Sequence, residues 1–124
     1  MHKRLILIVD DEADLRAMMQ EIFELSGYLV VTTCHGREAL DYLMGAPRPH
    51  LILLDLTMPV MGGLAFLEEL HCGDYPHLTS IPVVVISAVE QFVDLERFGC
   101  AGTLIKPASL DDILSTAWRA MERA

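Results

Sequence analysis

Acidic residues follow two strongly apolar runs of the sequence. Asp55 closes the run at residues 51–54, and Asp10 and Asp11 follow the run Leu5–Val9. Uninterrupted apolar runs of this length are typical of strands that are buried on both faces of a parallel sheet. Carboxylates at the ends of such strands lie at the edge of the sheet, which is where open α/β proteins bind their ligands.

Two further polar residues occupy equivalent positions. Ser87 follows the apolar run 83–86, and Lys106 follows the run 103–105. Carboxylates gathered in one place repel each other, and a divalent cation with oxygen ligands, usually Mg²⁺, would offset that repulsion. Lysine supplies a positive charge suited to phosphate, and serine supplies a hydroxyl donor. These residue types predict a phosphoryl-transfer site in which Asp55 is the nucleophile.

Each of these residues also has a purely structural interpretation. Asp10 or Asp11 could cap the helix that follows them. Ser87 and Lys106 could be ordinary loop and turn residues, and an acid at a strand end, such as Asp55, can also be structural. Their joint occurrence at successive strand ends favours the functional interpretation.

Strand-like runs and helix-like patterns alternate along the chain. The predicted strands are Leu5–Val9, Leu29–Thr33, 51–54, 83–86 and 103–105. The predicted helices are a segment between Asp11 and Gly27, then 37–44, 64–71, 90–98 and a final segment that begins at Ser109. Strict alternation of this kind predicts a parallel sheet with helices on both faces. The polar stretch 71–80 predicts a surface loop.

The first and last helices have clear apolar stripes and end signals. The first stripe contains Leu15, Met18, Met19, Ile22 and Phe23, and the last contains Leu110, Ile113, Leu114, Ala117, Trp118 and Met121. This spacing places each set on one helix face. Gly27 is predicted to stop the first helix. Ser109 and Asp112 form a capping-box pattern in which Asp replaces the usual Glu or Gln.

Composition narrows the class of protein. The chain has 124 residues, which is the size of one domain, and a hydrophobic fraction of 52%. Nine basic and 18 acidic residues give a net charge of −9, which argues against binding to nucleic acid. Three cysteines without a C-x-x-C pair suggest neither a zinc site nor a disulfide framework. No apolar run reaches the roughly 18 residues that a membrane span needs, so we expect a cytoplasmic protein.

The chain resembles the receiver domains of two-component response regulators over essentially all of its length. The motifs that carry the resemblance are Val-Asp-Asp-Glu at 9–12, the stretch 53–63 around Asp55, Ile-Ser-Ala at 86–88 and Ile-Lys-Pro at 105–107. The resemblance implies a doubly wound (βα)5 fold of the α/β class with flavodoxin-like topology. Its five-stranded parallel sheet has the order 2-1-3-4-5, which follows from the resemblance and not from the spacing of the runs. We expect residues 1–124 to form a single receiver domain without an output domain.

The resemblance also implies the composition of a magnesium site. Asp11 would bind Mg²⁺ directly, and Asp10 would assist, often through water. Asp55 and the main-chain carbonyl of Thr57 would be further ligands.

The remaining implied roles concern the phosphoryl group. Asp55 would take it from a phosphohistidine, Ser87 would donate a hydrogen bond to one of its oxygens, and Lys106 would pair with Asp55 or its phosphate. The bond between Lys106 and Pro107 would be cis. The implied partner is a sensor histidine kinase or a histidine phosphotransfer protein, and a homodimer is compatible with the family. The protein would thus be a phosphoacceptor and not an enzyme, and no direct contact with nucleic acid or membrane is expected.

Two departures from the family pattern affect the output side of the domain. Thr103 occupies the position, three residues before the lysine, where the family usually has Tyr or Phe. The stretch from Ser87 to Lys106 is about three residues shorter than usual, around a predicted helix already short for the ~11-residue mean. We therefore expect intact phosphorylation chemistry with atypical output coupling, because the usual aromatic rotamer switch cannot occur at Thr103.

Three alternatives remain open at the level of sequence. A haloacid-dehalogenase-type phosphatase would need a second Asp two residues after the nucleophile, where this chain has Thr57. A flavin- or nucleotide-binding module would need a phosphate-cradling loop after the first strand, where Asp10, Asp11 and Glu12 would repel phosphate. A phosphorylation-independent interaction domain would be expected to have lost the acids or the lysine, and none is lost here.

Overall fold

A computed structural model describes residues 3–45, 47–56, 61–72, 78–88 and 98–122 of the chain. The strands within these ranges are β1 (Leu5–Val9), β2 (Leu29–Thr33), β3 (Leu51–Asp55), β4 (Val83–Ser87) and β5 (Gly102–Ile105). The helices are α1 (Ala13–Leu25), α2 (Gly36–Gly45), α3 (Gly63–Cys72) and α4 (Leu110–Glu122).

The observed elements agree closely with those predicted from the sequence. β3 and β4 each extend one residue further than predicted, and thereby include Asp55 and Ser87. The predicted loop 71–80 was wrong at its start, because α3 continues through His71 and Cys72. The predicted helix 90–98 lies outside the described residues except for Phe98.

The five strands form one parallel sheet in the order β2-β1-β3-β4-β5, as expected. The order reverses between β1 and β3, and ligands of doubly wound folds bind in the crevice that such a reversal opens beyond the carboxyl ends of the strands. The three central strands are rich in Leu, Ile and Val because both of their faces are covered. β2 and β5 form the edges and are more exposed.

Helices cover both faces of the sheet. α2 and α3 pack on one face, and α1 and α4 pack on the other. Alternate residues of β1 divide between the two layers, with Leu7 and Val9 on one side and Ile6 and Ile8 on the other. Helices therefore cover both faces of the central strands, and the carboxyl ends of these strands lie together at one edge of the sheet.

The ends of α1 and α4 follow from residues that the sequence marked. Gly27 has a φ of 97°, in the region that favours glycine, and its N–H donates to the carbonyl of Glu24. The N–H of Tyr28 donates to the carbonyl of Phe23, so α1 ends in a Schellman motif. Ser109 Oγ accepts the N–H of Asp112 at 3.0 Å and caps α4.

Two members of the predicted apolar stripes are not buried. Met18 is 50% exposed and Trp118 is 53% exposed, so neither belongs to the core. The guanidinium carbon of Arg4 lies 5.5 Å from the centroid of the Trp118 ring, over its face. Within the described ranges, no helix has the length and apolar character needed to cross a membrane.

Candidate functional site

The register of the sheet brings the predicted site residues to one edge. Val9 is paired with Leu54, so the residues that follow them, Asp10 and Asp55, leave neighbouring strands side by side. Ser87 is paired with Ile105, which places Lys106 one residue beyond it on the next strand. The N–H of Lys106 donates to the carbonyl of Ser87 at 2.7 Å and fixes this last pairing.

Lys106 links the two buried carboxylates of the site. Its Nζ lies 3.5 Å from Oδ2 of Asp10 and 3.5 Å from Oδ2 of Asp55. The side chain of Lys106 is 15% exposed, whereas Asp10 is 0% and Asp55 is 3% exposed. These distances are longer than the 2.7–2.9 Å of a short charge-assisted hydrogen bond. The ammonium group therefore lies between two ion-pair partners without bonding tightly to either.

Asp10 has a structural task in addition to its place in the site. Its Oδ1 accepts the N–H of Glu12 at 2.8 Å, in the turn that leads into α1. Its Oδ2 is buried and has no hydrogen-bond partner among the described residues. Glu12, and not Asp10 or Asp11, is the N-cap residue of α1, and its side chain makes no capping bond. The role of Asp10 in this turn thus explains the position of Oδ1, whereas Oδ2 has no hydrogen bond within the described residues.

Burial and charge act against each other at this site. Burial raises the pKa of Asp10, and this effect exceeds the lowering by the N–H of Glu12 and the charge of Lys106. Burial alone would lower the pKa of Lys106, but the negative charges of Asp10, Asp55 and Glu12 outweigh it and raise that pKa. The ammonium form of Lys106 is therefore favoured, while the carboxylate of Asp10 is not fully compensated.

Three carboxylates are arranged to share a cation. One oxygen from each of Asp10, Asp11 and Asp55 lies within 4.8 Å of the others. Asp11 is exposed, whereas the other two are buried. Mg²⁺ binds one or two carboxylates together with several waters, so one exposed and two buried acids suit it. Because Oδ2 of Asp10 is also buried without a hydrogen bond among the described residues, the side chains fit such an ion.

The other predicted site residues differ in how far the structure describes them. Ser87 is 0% exposed at the end of β4. The peptide bond between Lys106 and Pro107 is cis, as the resemblance implied. Thr57 lies outside the described residues, so its role as a carbonyl ligand stays a prediction. Thr103 is exposed on β5, opposite Val85 of β4.

Two residues at the site had received no role from the sequence. Glu12 Oε1 lies 3.8 Å from Nζ of Lys106 and adds a third acid beside the ammonium group. Arg16 Nη1 donates to the main-chain carbonyl of Asp10 at 2.8 Å and holds the turn before α1. Glu12 was visible as part of the acidic run. The contribution of Arg16 depends on the path of the turn, which no spacing rule gives.

The chain after Asp55 returns close to β3. The N–H of Gly63 donates to the carbonyl of Leu56 at 3.0 Å, which holds the start of α3 beside the end of β3. A Cβ atom at Gly63 would lie 2.5 Å from the main-chain oxygen of Asp55. Glycine is thus required for α3 to begin directly beside the candidate acceptor.

A second group of possible ligands lies at the start of α2. The carboxylate of Glu38 accepts the N–H of Cys34 at 3.2 Å and the thiol of Cys34 at 3.4 Å. Nδ1 of His35 accepts the N–H of Glu38 at 3.2 Å. These bonds satisfy the free N–H groups at a helix start, so helix capping explains the group.

Comparisons with known proteins cover most of the chain. The sequence model of the family described as "Response regulator receiver domain" matches residues 6–117. The regulatory protein AtoC of Escherichia coli (strain K12) is 36% identical over 120 residues, which are 94% of this chain and 25% of AtoC. The chain therefore spans about a quarter of that relative. The polar-differentiation response regulator DivK of Brucella anthropi is 34% identical over 119 residues, which are 94% of each chain.

A comparison of structures gives the same fold. The response regulator protein TrrA from Thermotoga maritima, solved in complex with Mg(2+)-BeF, matches with a TM-score of 0.81 at 24% identity. The match covers 94% of this chain and 98% of that chain.

Proposed function

The chain belongs to the receiver-domain family of two-component response regulators, and we propose that its Asp55 accepts the phosphoryl group. The observation that carries the proposal is the position of Asp55: it is buried, it ends β3, and its carboxylate lies 3.5 Å from the ammonium group of Lys106. An acid at the end of a buried strand, with an ammonium group 3.5 Å from its carboxylate, is positioned as a nucleophile at the edge where ligands of this fold class bind.

The phosphoryl donor would be a phosphohistidine of a sensor kinase or of a histidine phosphotransfer protein. A carboxylate oxygen of Asp55 would attack the phosphorus atom, the bond between phosphorus and the imidazole nitrogen would break, and the imidazole would leave. The product on this chain is an acyl phosphate. The protein contributes position and charge to this step.

Lys106 and Ser87 would stabilise the phosphorylated state. Lys106 Nζ lies 3.5 Å from Oδ2 of Asp55, so it would lie close to the oxygens of a phosphoryl group on Asp55. Ser87 ends the strand next to β3, where its hydroxyl would donate to another phosphoryl oxygen. The bond between the Lys106 N–H and the Ser87 carbonyl keeps the two residues in a fixed relation.

Receiver domains bind Mg²⁺ at their acidic pocket, and we assign Asp10, Asp11, Asp55 and the carbonyl of Thr57 as its protein ligands here. When bound, the ion would neutralise negative charge on the phosphoryl oxygens. Asp10 would present its buried Oδ2, and Asp11 would supply the exposed ligand of the set.

The remaining parts of the proposal concern where and how the domain acts. We infer a cytoplasmic phosphoacceptor, which assists its own phosphorylation but turns over no separate substrate. Thr103 supports atypical output coupling, because an exposed threonine has no ring that could swing inward when Ser87 moves. A structure with a bound phosphate mimic in which the face around β5 rearranges as in aromatic-bearing relatives would contradict this part.

The direct test is incubation with acetyl phosphate and Mg²⁺, followed by intact mass measurement. We expect the addition of one phosphoryl group to the wild-type chain. The addition should be absent in Asp55→Asn and in wild-type protein with EDTA. Modification that persists in Asp55→Asn would refute the assignment.

The matched control for Asp55→Asn is Asp41→Asn, at an exposed position on α2. It also loses one negative charge and should be phosphorylated normally.

A second assay distinguishes this function from that of a phosphatase. With p-nitrophenyl phosphate as substrate we expect no steady release of product, because Thr57 supplies no general acid. Steady turnover would instead favour a phosphatase.

A further inference from the structure

A polar cavity lies at the opposite edge of the sheet from Asp55. Its volume is about 380 Å³, and its polar lining comes from Arg4, Arg48, His50 and Ser80. Arg4 directly precedes β1 and His50 directly precedes β3, so the cavity lies at the amino ends of the strands. β1 has five residues, which at about 3.3 Å each places the two edges about 16 Å apart.

The cavity concentrates positive charge in an acidic protein. The chain carries 9 basic and 18 acidic residues, yet two arginines line this one cavity. Nη2 of Arg48 donates to the hydroxyl of Ser80 across the cavity wall. Nδ1 of His50 accepts the N–H of Leu5 at 2.9 Å, so Nε2 is the ring nitrogen that can donate a hydrogen bond.

Arg4 has unused hydrogen-bonding capacity. Its Nη2 lies 3.0 Å from Oε1 of Glu122, and its guanidinium covers the Trp118 ring. Its Nη1 is buried and has no hydrogen-bond partner among the described residues. A buried charged donor without a partner is unfavourable. Protein atoms enclose Nη1, so a movement of the Arg4 guanidinium away from Glu122 would be needed to bring this donor to an oxyanion in the cavity.

We propose that this cavity binds a phosphate-bearing small molecule, with Arg4 and Arg48 as the charged donors. Arginine presents a planar set of N–H groups that matches the oxygens of a phosphate. The volume falls within the range of small-ligand sites and leaves room for a few carbon atoms beyond the phosphate. Glu122 competes with the ligand for Arg4, so binding would weaken the link between Arg4 and the end of α4.

Trp118 provides a direct readout of this event. It is the single tryptophan of the chain, and the Arg4 guanidinium lies over its ring. Inorganic phosphate is titrated into the protein in EDTA, which excludes metal-dependent effects at the Asp55 edge. Fluorescence and isothermal calorimetry are recorded against sodium chloride of equal ionic strength. We expect a saturable fluorescence change and a binding heat with phosphate and neither with chloride, and failure of both measurements overturns the proposal.

Two variants, one that removes a positive charge and one that removes a negative charge, test the roles of Arg48 and Glu122 in phosphate binding. Arg48→Gln should weaken phosphate binding at least about tenfold, because it removes one charge-assisted contact. Glu122→Gln should tighten it severalfold, because it removes the competing carboxylate. The charge-matched controls Arg37→Gln and Glu69→Gln, at exposed positions outside the cavity, should change it less than about twofold. Equal effects of Arg48→Gln and Arg37→Gln would overturn the proposal.

Phospholipid headgroups also carry phosphate, and one further measurement distinguishes them from a soluble ligand. The proposal assigns a soluble ligand, because the donors line a recess between the strand ends and α4. The protein should therefore not sediment with vesicles that contain phosphatidic acid. Co-sedimentation that Arg48→Gln abolishes would overturn the small-molecule assignment. This site does not depend on the proposed phosphorylation of Asp55, so a failure of phosphate binding here would leave that proposal unaffected.

Discussion

Replacing Lys106 with methionine removes the ammonium group that lies 3.5 Å from both Asp10 and Asp55. At an effective dielectric constant of about 20, each of these pairs contributes roughly 5 kcal/mol of Coulomb attraction before desolvation is counted. Removing one partner of a buried ion pair destabilises a protein by about 3–5 kcal/mol, because the other charge stays buried. We expect Lys106→Met to lower the free energy of unfolding by about that amount at pH 7 without Mg²⁺.

Magnesium should restore much of this loss. An ion bound by the same carboxylates compensates their charge, and it does so more strongly in Lys106→Met, where no ammonium group repels it. A ligand at 100 times its dissociation constant stabilises the folded state by about 2.7 kcal/mol. Urea unfolding, followed by circular dichroism over a series of Mg²⁺ concentrations, measures both the loss and the recovery.

The control for this experiment is Lys3→Met. Lys3 is the other lysine of the chain and is exposed, so its loss should change stability by less than about 0.5 kcal/mol, with or without Mg²⁺. Lys106→Met protein as stable as wild type without Mg²⁺ would refute the electrostatic reasoning. A loss that Mg²⁺ does not reduce would show that the carboxylates do not share the ion.

Three further predictions follow from the same structure. Because burial raises the pKa of Asp10 above 3.8, its ionisation reduces stability as the pH rises through the folded value. Asp10→Asn should therefore be more stable than wild type at pH 7 in EDTA, since Lys106 keeps Asp55 as its partner, and urea unfolding should show this advantage disappearing below about pH 4. Gly63→Ala should lose about 1–3 kcal/mol and reduce phosphorylation by acetyl phosphate, because its Cβ would lie 2.5 Å from a main-chain oxygen. Gly36→Ala should lose less, since the nearest atom, at 2.7 Å, belongs to the side chain of Met61 and the nearest main-chain oxygen lies 3.0 Å away, not 2.5 Å. Comparable losses in thermal unfolding would contradict this contrast. Ser109→Ala should lose about 1 kcal/mol in urea unfolding with normal phosphorylation, because only a helix cap is removed.

Much of the fold could be predicted because the relevant signals are local. The apolar strands end in acids, and helix ends such as Gly27 and Ser109 carry their own capping chemistry. The order of the strands came from resemblance to a family, since hydrophobic runs of similar composition do not specify which neighbours they pair with. The exposure of Trp118 was not predictable, because periodicity gives the side of a helix but not how much of that side the sheet covers.

The site was predictable in its residues and less so in its geometry. The ends of parallel strands meet at one edge, so Asp10, Asp55 and Lys106 were expected together. Consecutive residues of an extended chain point in opposite directions, but the sequence does not say which of Asp10 and Asp11 points inward. That Lys106 lies between two acids, and not against Asp55 alone, depends on the rotamer of a long side chain.

The ion pair between Arg4 and Glu122 has a consequence for how this domain can be joined to other polypeptide. Arg4 lies at the amino end of the first strand and Glu122 at the carboxyl end of the last helix, yet their side chains meet at 3.0 Å. Polypeptide attached before Arg4 or after Glu122 would leave the domain at the same corner, far from Asp55. A further domain attached there could therefore be replaced or enlarged without blocking the access of a phosphodonor to Asp55.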